Sequence, residues 1–442
     1  MSAAGTITRF GQELRAICGA EHVVEDPAQL QAGTILGVAP TVAVSPGSAE
    51  EIAAVLRLAN QHGLSVVPAG GFTQQQTGNV PPQIDVLLRT SRLKAVEHYD
   101  PGDLTIGIGA GWSVADLASK VGADGLLFAG DPSFPERATI GGLLATGITG
   151  PLRHGYGGLR DYCIGIKFVT GDGRKAKGGG RVVKNVAGYD LMKLLIGSQG
   201  TLAIITGASF KLFPTPRQTR TFIAHFQTAD DALKLRDAVL HSPLSPMCVE
   251  LVSPGAHVLL PDQSEAWSVC VRAAGSDTVL ARYRTELGMA VSREIEDQSE
   301  RDLWRGLSDF SPTFAARHTD AVLITFSLPL TKVRPVLNSL AGMAEGNGLE
   351  LAVIGRVGVG HLLAGLWPAD SATTAHMSLI NAVSMLRQQL PGDGSMVVLQ
   401  APQEVRHKMT AWGLTPTHLG SMRAVKQAID PNEVLNRGRF VF

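Results

Sequence analysis

Three glycine-rich segments, each tied to a strand-like run, constrain this 442-residue chain more than any other feature. Pro68-Ala69-Gly70-Gly71-Phe72-Thr73 follows the β-like run Leu64-Ser65-Val66-Val67; the others are Ala138-Thr139-Ile140-Gly141-Gly142-Leu143-Leu144-Ala145-Thr146-Gly147 and Gly197-Ser198-Gln199-Gly200-Thr201-Leu202-Ala203-Ile204-Ile205-Thr206. Glycine permits positive φ and lets a ligand approach bare N–H groups. Three such places predict one large ligand with a phosphate part and a flat part. The polar string Thr73-Gln74-Gln75-Gln76-Thr77-Gly78 adds donors where a turn can form an anion-binding nest. A plain tight turn and close packing of helix on strand are the structural alternatives in a chain with 50 glycines.

The length implies more than one hydrophobic core. Lys plus Arg and Asp plus Glu are 39 each, so no basic excess points to nucleic acid or to a polybasic membrane anchor. Cys18, Cys163, Cys248 and Cys270 are scattered. Structural zinc and iron–sulfur clusters need closely spaced thiolates, so neither is expected, and the cysteines read as reduced core residues of an intracellular protein. The N-terminus lacks an apolar signal region, and no apolar run reaches the roughly eighteen residues of a membrane span. A cytoplasmic chain is expected, with any membrane contact made through a partner.

Residues 1–36 read as a helical lead-in. Ser48 and Glu51 form a predicted capping box for a helix with Ile52, Val55, Leu56 and Ala59 on one face, stopped at Gly63. Short strands follow, and Lys177-Gly-Gly-Gly180 reads as a loop. Pro214-Thr215-Pro216 marks a boundary, after which strand and helix alternate in the pattern of an antiparallel sheet with helices on one face. Gly107-Ile-Gly109-Ala-Gly111 is only a partial dinucleotide fingerprint: counting from Gly107 or Gly109, the third glycine position holds Trp112 or Val114, and no P-loop occurs.

Taken in order, Pro68-x-Gly70-Gly71-x-Thr73, Ala138-Thr139-Ile140-Gly141-Gly142, Tyr156-Gly157, Asp172-Gly173, Lys184-Asn185-Val186-Ala187-Gly188-Tyr189-Asp190-Leu191, Gly197-Ser198-x-Gly200-Thr201-Leu202 and Asn436-x-Gly438-Arg439-Phe440 resemble the vanillyl-alcohol oxidase/p-cresol methylhydroxylase (VAO/PCMH) flavoprotein family, most of all its bacterial glycolate-oxidase-type FAD subunits. The resemblance implies an α+β fold: a two-subdomain FAD-binding domain over 37–216, an inserted α+β cap over 217–402 and a C-terminal return over 403–442. It implies that Ala69, Gly70, Gly71, Phe72, Thr73 and Gln74 wrap the FAD pyrophosphate. Asp131, Pro132, Thr139, Gly142 and Ala145 would line the flavin, Gly200, Ile204 and Ile205 would contact the cofactor through backbone, and Asn436 would approach it from the return. No His or Cys in the Gly70 loop offers a covalent flavin link, so the FAD is expected to be non-covalent.

Relatives that oxidise 2-hydroxy acids often carry His-x-Gly-Asp-Gly-Asn-x-His, a divalent-metal motif. The matching stretch is Arg356-Val-Gly358-Val-Gly360-His361-Leu-Leu363, where the two metal-ligand His positions hold Arg356 and Leu363 and the Asp position holds Val359, so no metal is expected. Arg356 and His361 are the candidate catalytic residues: a cation for a carboxylate, and a base or structural histidine. Lys184, Tyr189 and Arg153 are further flavin-side candidates. The resemblance implies the flavoprotein subunit of a complex oxidising glycolate or D-lactate to the 2-oxo acid, working with a paralogous flavoprotein subunit and an iron–sulfur subunit. The alternatives are a stand-alone FAD dehydrogenase or oxidase, and a non-catalytic electron-relay or assembly subunit.

Overall fold

Described residues in the computed structural model are 3–181, 189–261, 263–369, 375–413 and 415–442. The chain forms two units, one of Met1–Ile148, Gly158–Pro214 and Thr415–Phe442, the other of Thr149–Gly157 and Thr215–Leu414.

In the first unit, Ser48 Oγ accepts the Glu51 amide at 3.1 Å and starts the helix Ala49–His62. The Glu51 carboxylate takes the Gly47 amide at 2.8 Å, so the reciprocal bond of the predicted capping box lands one residue earlier than expected. Ile52, Val55, Leu56 and Ala59 are buried, and Gly63 closes the helix at φ 67°. Strands β1 (Val23–Val24), β2 (Val42–Val44), β3 (Val66–Ala69) and β4 (Val86–Arg89) form a sheet ordered β1-β2-β4-β3, with β2 and β3 parallel to β4. The lead-in is therefore not wholly helical: after the helix Ala3–Cys18, Val23 and Val24 pair antiparallel with β2, as β-branched residues favour.

A second, antiparallel sheet orders β5 (Val96–Asp100), β6 (Thr105–Gly109), β8 (Cys163–Thr170), β9 (Lys175–Gly179) and β10 (Ala203–Lys211) as β5-β6-β10-β8-β9, while β7 (Leu126–Leu127) pairs with β11 (Phe213–Pro214). The Lys177-Gly-Gly stretch, read as loop, is strand as far as Gly179, paired with β8. Its glycines answer to crowding: a Cβ on Gly178 would lie 2.8 Å from the Leu191 Cβ.

The C-terminal helix Leu419–Ile429 delivers Val434–Asn436 alongside β3. Val66 N donates to Val434 O at 2.8 Å and Asn436 N to Val66 O at 2.9 Å. Lys426 and Asp430, both buried, fix this return. The ammonium donates to Thr201 O (2.7 Å), Asp430 Oδ2 (2.6 Å) and Leu435 O (3.1 Å), and Asp430 accepts the Val434 and Leu435 amides. Each ammonium proton thus has an acceptor, the condition under which a buried ion pair is tolerated.

The second unit is built on an eight-stranded antiparallel sheet. Strands β12 (Thr219–Phe226), β13 (Cys248–Val252), β14 (Trp267–Ala274), β15 (Arg293–Ile295), β16 (Val322–Ser327), β17 (Leu349–Arg356), β18 (His361–Pro368) and β19 (Ser395–Gln400) run in the order β15-β12-β14-β13-β17-β18-β16-β19. Helices cover both faces, not one as expected. Phe222, Val249, Leu251, Val269 and Val353 pack with the helices Ala229–His241, Asp277–Leu287 and Val333–Gly346. Ile223, Cys248, Val252, Cys270 and Ile354 pack with Asp297–Ser308 and Phe310–Arg317. Near-continuous apolar strands, rather than alternating ones, are the sequence mark of a sheet buried twice. Val405 is buried in the first of these cores, so the short helix Gln403–Arg406 belongs with this unit. No helix among the described residues is long and apolar enough to cross a membrane.

Replacing Lys426 with Met strands the Asp430 carboxylate in the core. The expected loss is about 3–5 kcal/mol of stability, read as a lower urea midpoint, with the double variant K426M/D430N recovering part of it.

Candidate functional site

The glycine segments of the first unit meet through their backbones. A Cβ on Gly71 would collide with the Arg137 carbonyl and one on Gly70 with Thr139 Oγ1, so the loop after β3 can lie against Arg137–Thr139 only without side chains. Thr139 caps the helix Ile140–Thr146, its Oγ1 accepting the Gly142 amide at 3.3 Å. At the other end of that helix, Leu144 O accepts the Gly197 amide (3.0 Å) and Ala145 O the Gln199 amide (2.7 Å). Asn436 Nδ2 donates to Gln199 O at 2.6 Å, and a Cβ on Gly200 would sit 2.8 Å from Pro68 Cγ, back at β3. The three glycine segments and the C-terminal return therefore form a closed circuit.

Strained backbone marks this circuit: Phe72, Gln199 and Asn436 have φ of 60°, 56° and 48°, where non-glycine residues are uncommon, and Gly200 has 64°. Two polar atoms in it, Ser198 Oγ and Asn436 Oδ1, are buried with no hydrogen-bond partner. Buried polar groups are normally satisfied, so such orphans call for a ligand or water. The polar string is pinned by Arg439, which donates through Nη2 to Gln75 O (3.0 Å) and Thr77 O (2.7 Å).

Of the remaining residues assigned to the cofactor, Ala69 ends β3 and is paired with Arg89. Thr73 and Gln74 are half-buried in the loop. Asp131 and the buried Pro132 lead into the Phe134–Thr139 turn, where Phe134 O accepts the Arg137 and Ala138 amides. Ile204 and Ile205 lie in β10 with their side chains in the core, leaving only their backbone to offer. The motifs containing Ser198 and Arg439 carry no local sign of what these two side chains do; their burial reveals it. Lys184 lies outside the described residues, Tyr189 is 92% exposed, and Arg153 is in the second unit.

In the second unit, Arg356 and His361 are cross-strand partners at the turn between β17 and β18, with Arg356 O accepting the Val359 amide at 2.9 Å. Arg356 Nη1 donates to His361 Nδ1 at 2.9 Å, and His361 Nε2 is 3.0 Å from Thr325 Oγ1. Arg356 Nε lies 3.7 Å from Glu250 Oε1, an ion pair beyond hydrogen-bond reach, and has no hydrogen-bond partner. Arg356 and Glu250 are buried, at 6% and 1% exposure. Burial first, and then the cations of Arg356 and Arg153, hold the His361 imidazole well below its ordinary value, so it is neutral near pH 7. The short helix Arg153–Tyr156 brings His154 against the Gly358 backbone; burial lowers its value too. Leu363 is packed in the apolar core, and no group of three or more His, Cys, Asp or Glu side chains that could hold a metal occurs among the described residues. The four cysteines are buried and unlinked.

A backbone cradle beside a two-sheet scaffold, joined to a second unit built on a broad antiparallel sheet, is the architecture of a flavin-dependent oxidoreductase. Residues 40–177 match the FAD binding domain family, and 215–376 with 406–440 match the C-terminal domain of FAD linked oxidases: the chain belongs to the FAD-linked oxidase family. It is 24% identical over 429 residues to the glycolate oxidase subunit GlcD of Bacillus subtilis, covering 90% of this chain and 88% of that one. It is 27% identical over 423 residues to a D-lactate dehydrogenase of Archaeoglobus fulgidus (90% and 91% covered), and 28% over 348 residues to the glycolate oxidase subunit GlcE of Escherichia coli (78% and 84%). The fold is that of p-cresol methylhydroxylase, with TM-score 0.76, 16% identity and coverage of 98% and 96%; 4-ethylphenol oxidase from Gulosibacter chungangensis gives 0.74, 17%, 99% and 97%. The cofactor is FAD, and the cradle fits it: side-chain-free backbone at Gly70-Gly71 and positive φ suit a diphosphate, the Ser198 hydroxyl can donate or accept, and the unsatisfied Asn436 Oδ1 can accept an N–H or O–H of the ligand.

Two outcomes are expected. Gly71→Val should abolish flavin retention, measured as flavin absorbance of the purified protein. The second concerns acid. Because His361 titrates lower in the folded chain than its ordinary value of 6.5, the unfolded chain takes up this proton first as pH falls. Stability is then unaffected by it above about pH 6.5 and declines below, by up to about 1.4 kcal/mol per pH unit, until the folded imidazole itself protonates. Urea midpoints at pH 7.5 and 5.5 should fall less for His361→Asn than for the unaltered protein.

Proposed function

We propose that this chain is the flavoprotein subunit of a complex that oxidises a small 2-hydroxy acid, glycolate or D-lactate, to the 2-oxo acid. The observation that carries the reading is the Arg356 guanidinium, buried at the end of β17 with an unpartnered Nε–H. A guanidinium presents five N–H donors in a planar fork suited to carboxylate. His361 takes one and Glu250 lies too far to take the Nε proton, so donors remain for a substrate carboxylate. Pairing with Glu250 is the structural account of the same cation; the unmet donor is what favours a ligand.

In this reading Ala69, Gly70, Gly71, Phe72, Thr73 and Gln74 hold the FAD diphosphate through backbone amides. Asp131, Pro132, Thr139, Gly142 and Ala145 line the flavin, and Gly200, Ile204, Ile205 and Asn436 complete the enclosure. When bound, FAD supplies a two-electron acceptor. The cofactor is held without a covalent bond, since no His or Cys stands between Ala69 and Gly78. The four cysteines are buried and unlinked and no group of three or more metal-ligating side chains occurs among the described residues, so onward electron flow is assigned to a separate iron–sulfur subunit, with a paralogous flavoprotein subunit beside it. Similarity to both GlcD and GlcE supports the subunit reading.

A second reading, a subunit that binds FAD but turns over no substrate by itself, draws on His361, whose two ring nitrogens are both engaged. Anaerobic titration separates the two. The purified yellow protein should bleach with glycolate or D-lactate, and Arg356→Met should keep its flavin while losing at least about 100-fold in kcat/KM, the scale of a lost charge-assisted pair. Flavin that no 2-hydroxy acid reduces until partner subunits are added would select the second reading.

A further inference from the structure

The polar row at the end of β17 and β18 has a direction. Arginine is a donor only, so the 2.9 Å contact from Arg356 Nη1 requires a bare lone pair on His361 Nδ1. The imidazole proton is then on Nε2, 3.0 Å from Thr325 Oγ1, and the Thr325 hydroxyl has its own acceptor in Leu362 O at 3.3 Å. Every hydrogen runs one way: Arg356 to His361, His361 to Thr325, Thr325 to the backbone. The row is rigid because its turn is rigid. Gly360 has φ 69° and its carbonyl accepts the Leu328 amide at 2.7 Å; a Cβ there would collide with Leu328 O.

We propose that His361 is a positioning residue: its unprotonated Nδ1 aims the Arg356 guanidinium at the substrate carboxylate, and it accepts no proton in the reaction. The inference rests on the reading of Arg356 as the carboxylate anchor. A base must offer a free lone pair, and the lone pair of His361 is spent on Arg356. Protonation there would set an imidazolium against a guanidinium, and Arg153 adds a second cation. The role left to the ring is to hold one Nη1–H and so fix the plane of the fork. An unconstrained arginine would sample several rotamers and lose affinity for a planar anion.

The test uses the FAD-loaded protein with oxalate, a non-reacting dicarboxylate, as probe. Asn at 361 can place its amide oxygen near the Nδ1 position, while Leu offers no acceptor. His361→Leu should weaken oxalate binding, measured by calorimetry, at least 10-fold and raise KM for the hydroxy acid with kcat changed less than about 3-fold. His361→Asn should restore most of that loss. Nitrogen-15 NMR of the histidines should report the Nε2–H tautomer for His361 in the unaltered protein, a reading independent of how the Leu variant folds. Unchanged oxalate affinity in His361→Leu, a collapse of kcat at constant KM in both variants, or an Nδ1–H tautomer would overturn the proposal. If the unaltered protein binds neither oxalate nor any 2-hydroxy acid, the anchor reading itself fails, and this inference with it.

Discussion

The approach of the Gly70-Gly71 backbone to Arg137–Thr139 is the constraint on which the first unit depends. No side chain fits between these two stretches. The absence of side chains brings β3 against the start of the helix Ile140–Thr146, whose far end receives Gly197 and Gln199, which in turn receive Asn436. Each contact is made by backbone or by a short side chain, so the circuit tolerates little substitution. The strain at Phe72, Gln199 and Asn436 persists because neighbours on both sides dictate the geometry.

Much of this was legible in the sequence because glycine and helix caps act locally. The Ser48 cap, the Gly63 stop and the glycine segments announce themselves within a few residues, whereas the Thr139 cap shows only in the fold. What stayed hidden depends on partners distant in the chain. Val23 and Val24 become a strand only because β2 accepts them, and Lys175–Gly179 only because β8 does. The Lys426–Asp430 pair reads as an ordinary i, i+4 surface pair; burial by Thr201 and Leu435 makes it a core fixture. The excursion of Thr149–Gly157 into the second unit, carrying Arg153 and His154, has no local signal at all.

The second unit shows how a polar row survives at the margin of a twice-buried sheet. Glu250, Arg356, His361 and Thr325 occupy the strand face that elsewhere carries Val252, Ile354 and Leu363. Desolvating an arginine is tolerated only with compensation, and here the compensation is a carboxylate just beyond hydrogen-bond distance and a neutral imidazole lone pair. Nothing in the spacing of Arg356 and His361 reveals this; it follows from a tight turn that makes them cross-strand neighbours.

The pairing of Val434–Asn436 with β3 has a bearing on how the protein is made. The whole second unit leaves the ribosome between the two partners of that ladder. Until Val434–Asn436 emerge, the outer edge of β3 is an open template for foreign strands, the situation in which nascent chains aggregate. A translation product cut short before Asp430 would keep that edge unsealed and lack the wall from which Asn436 reaches Gln199.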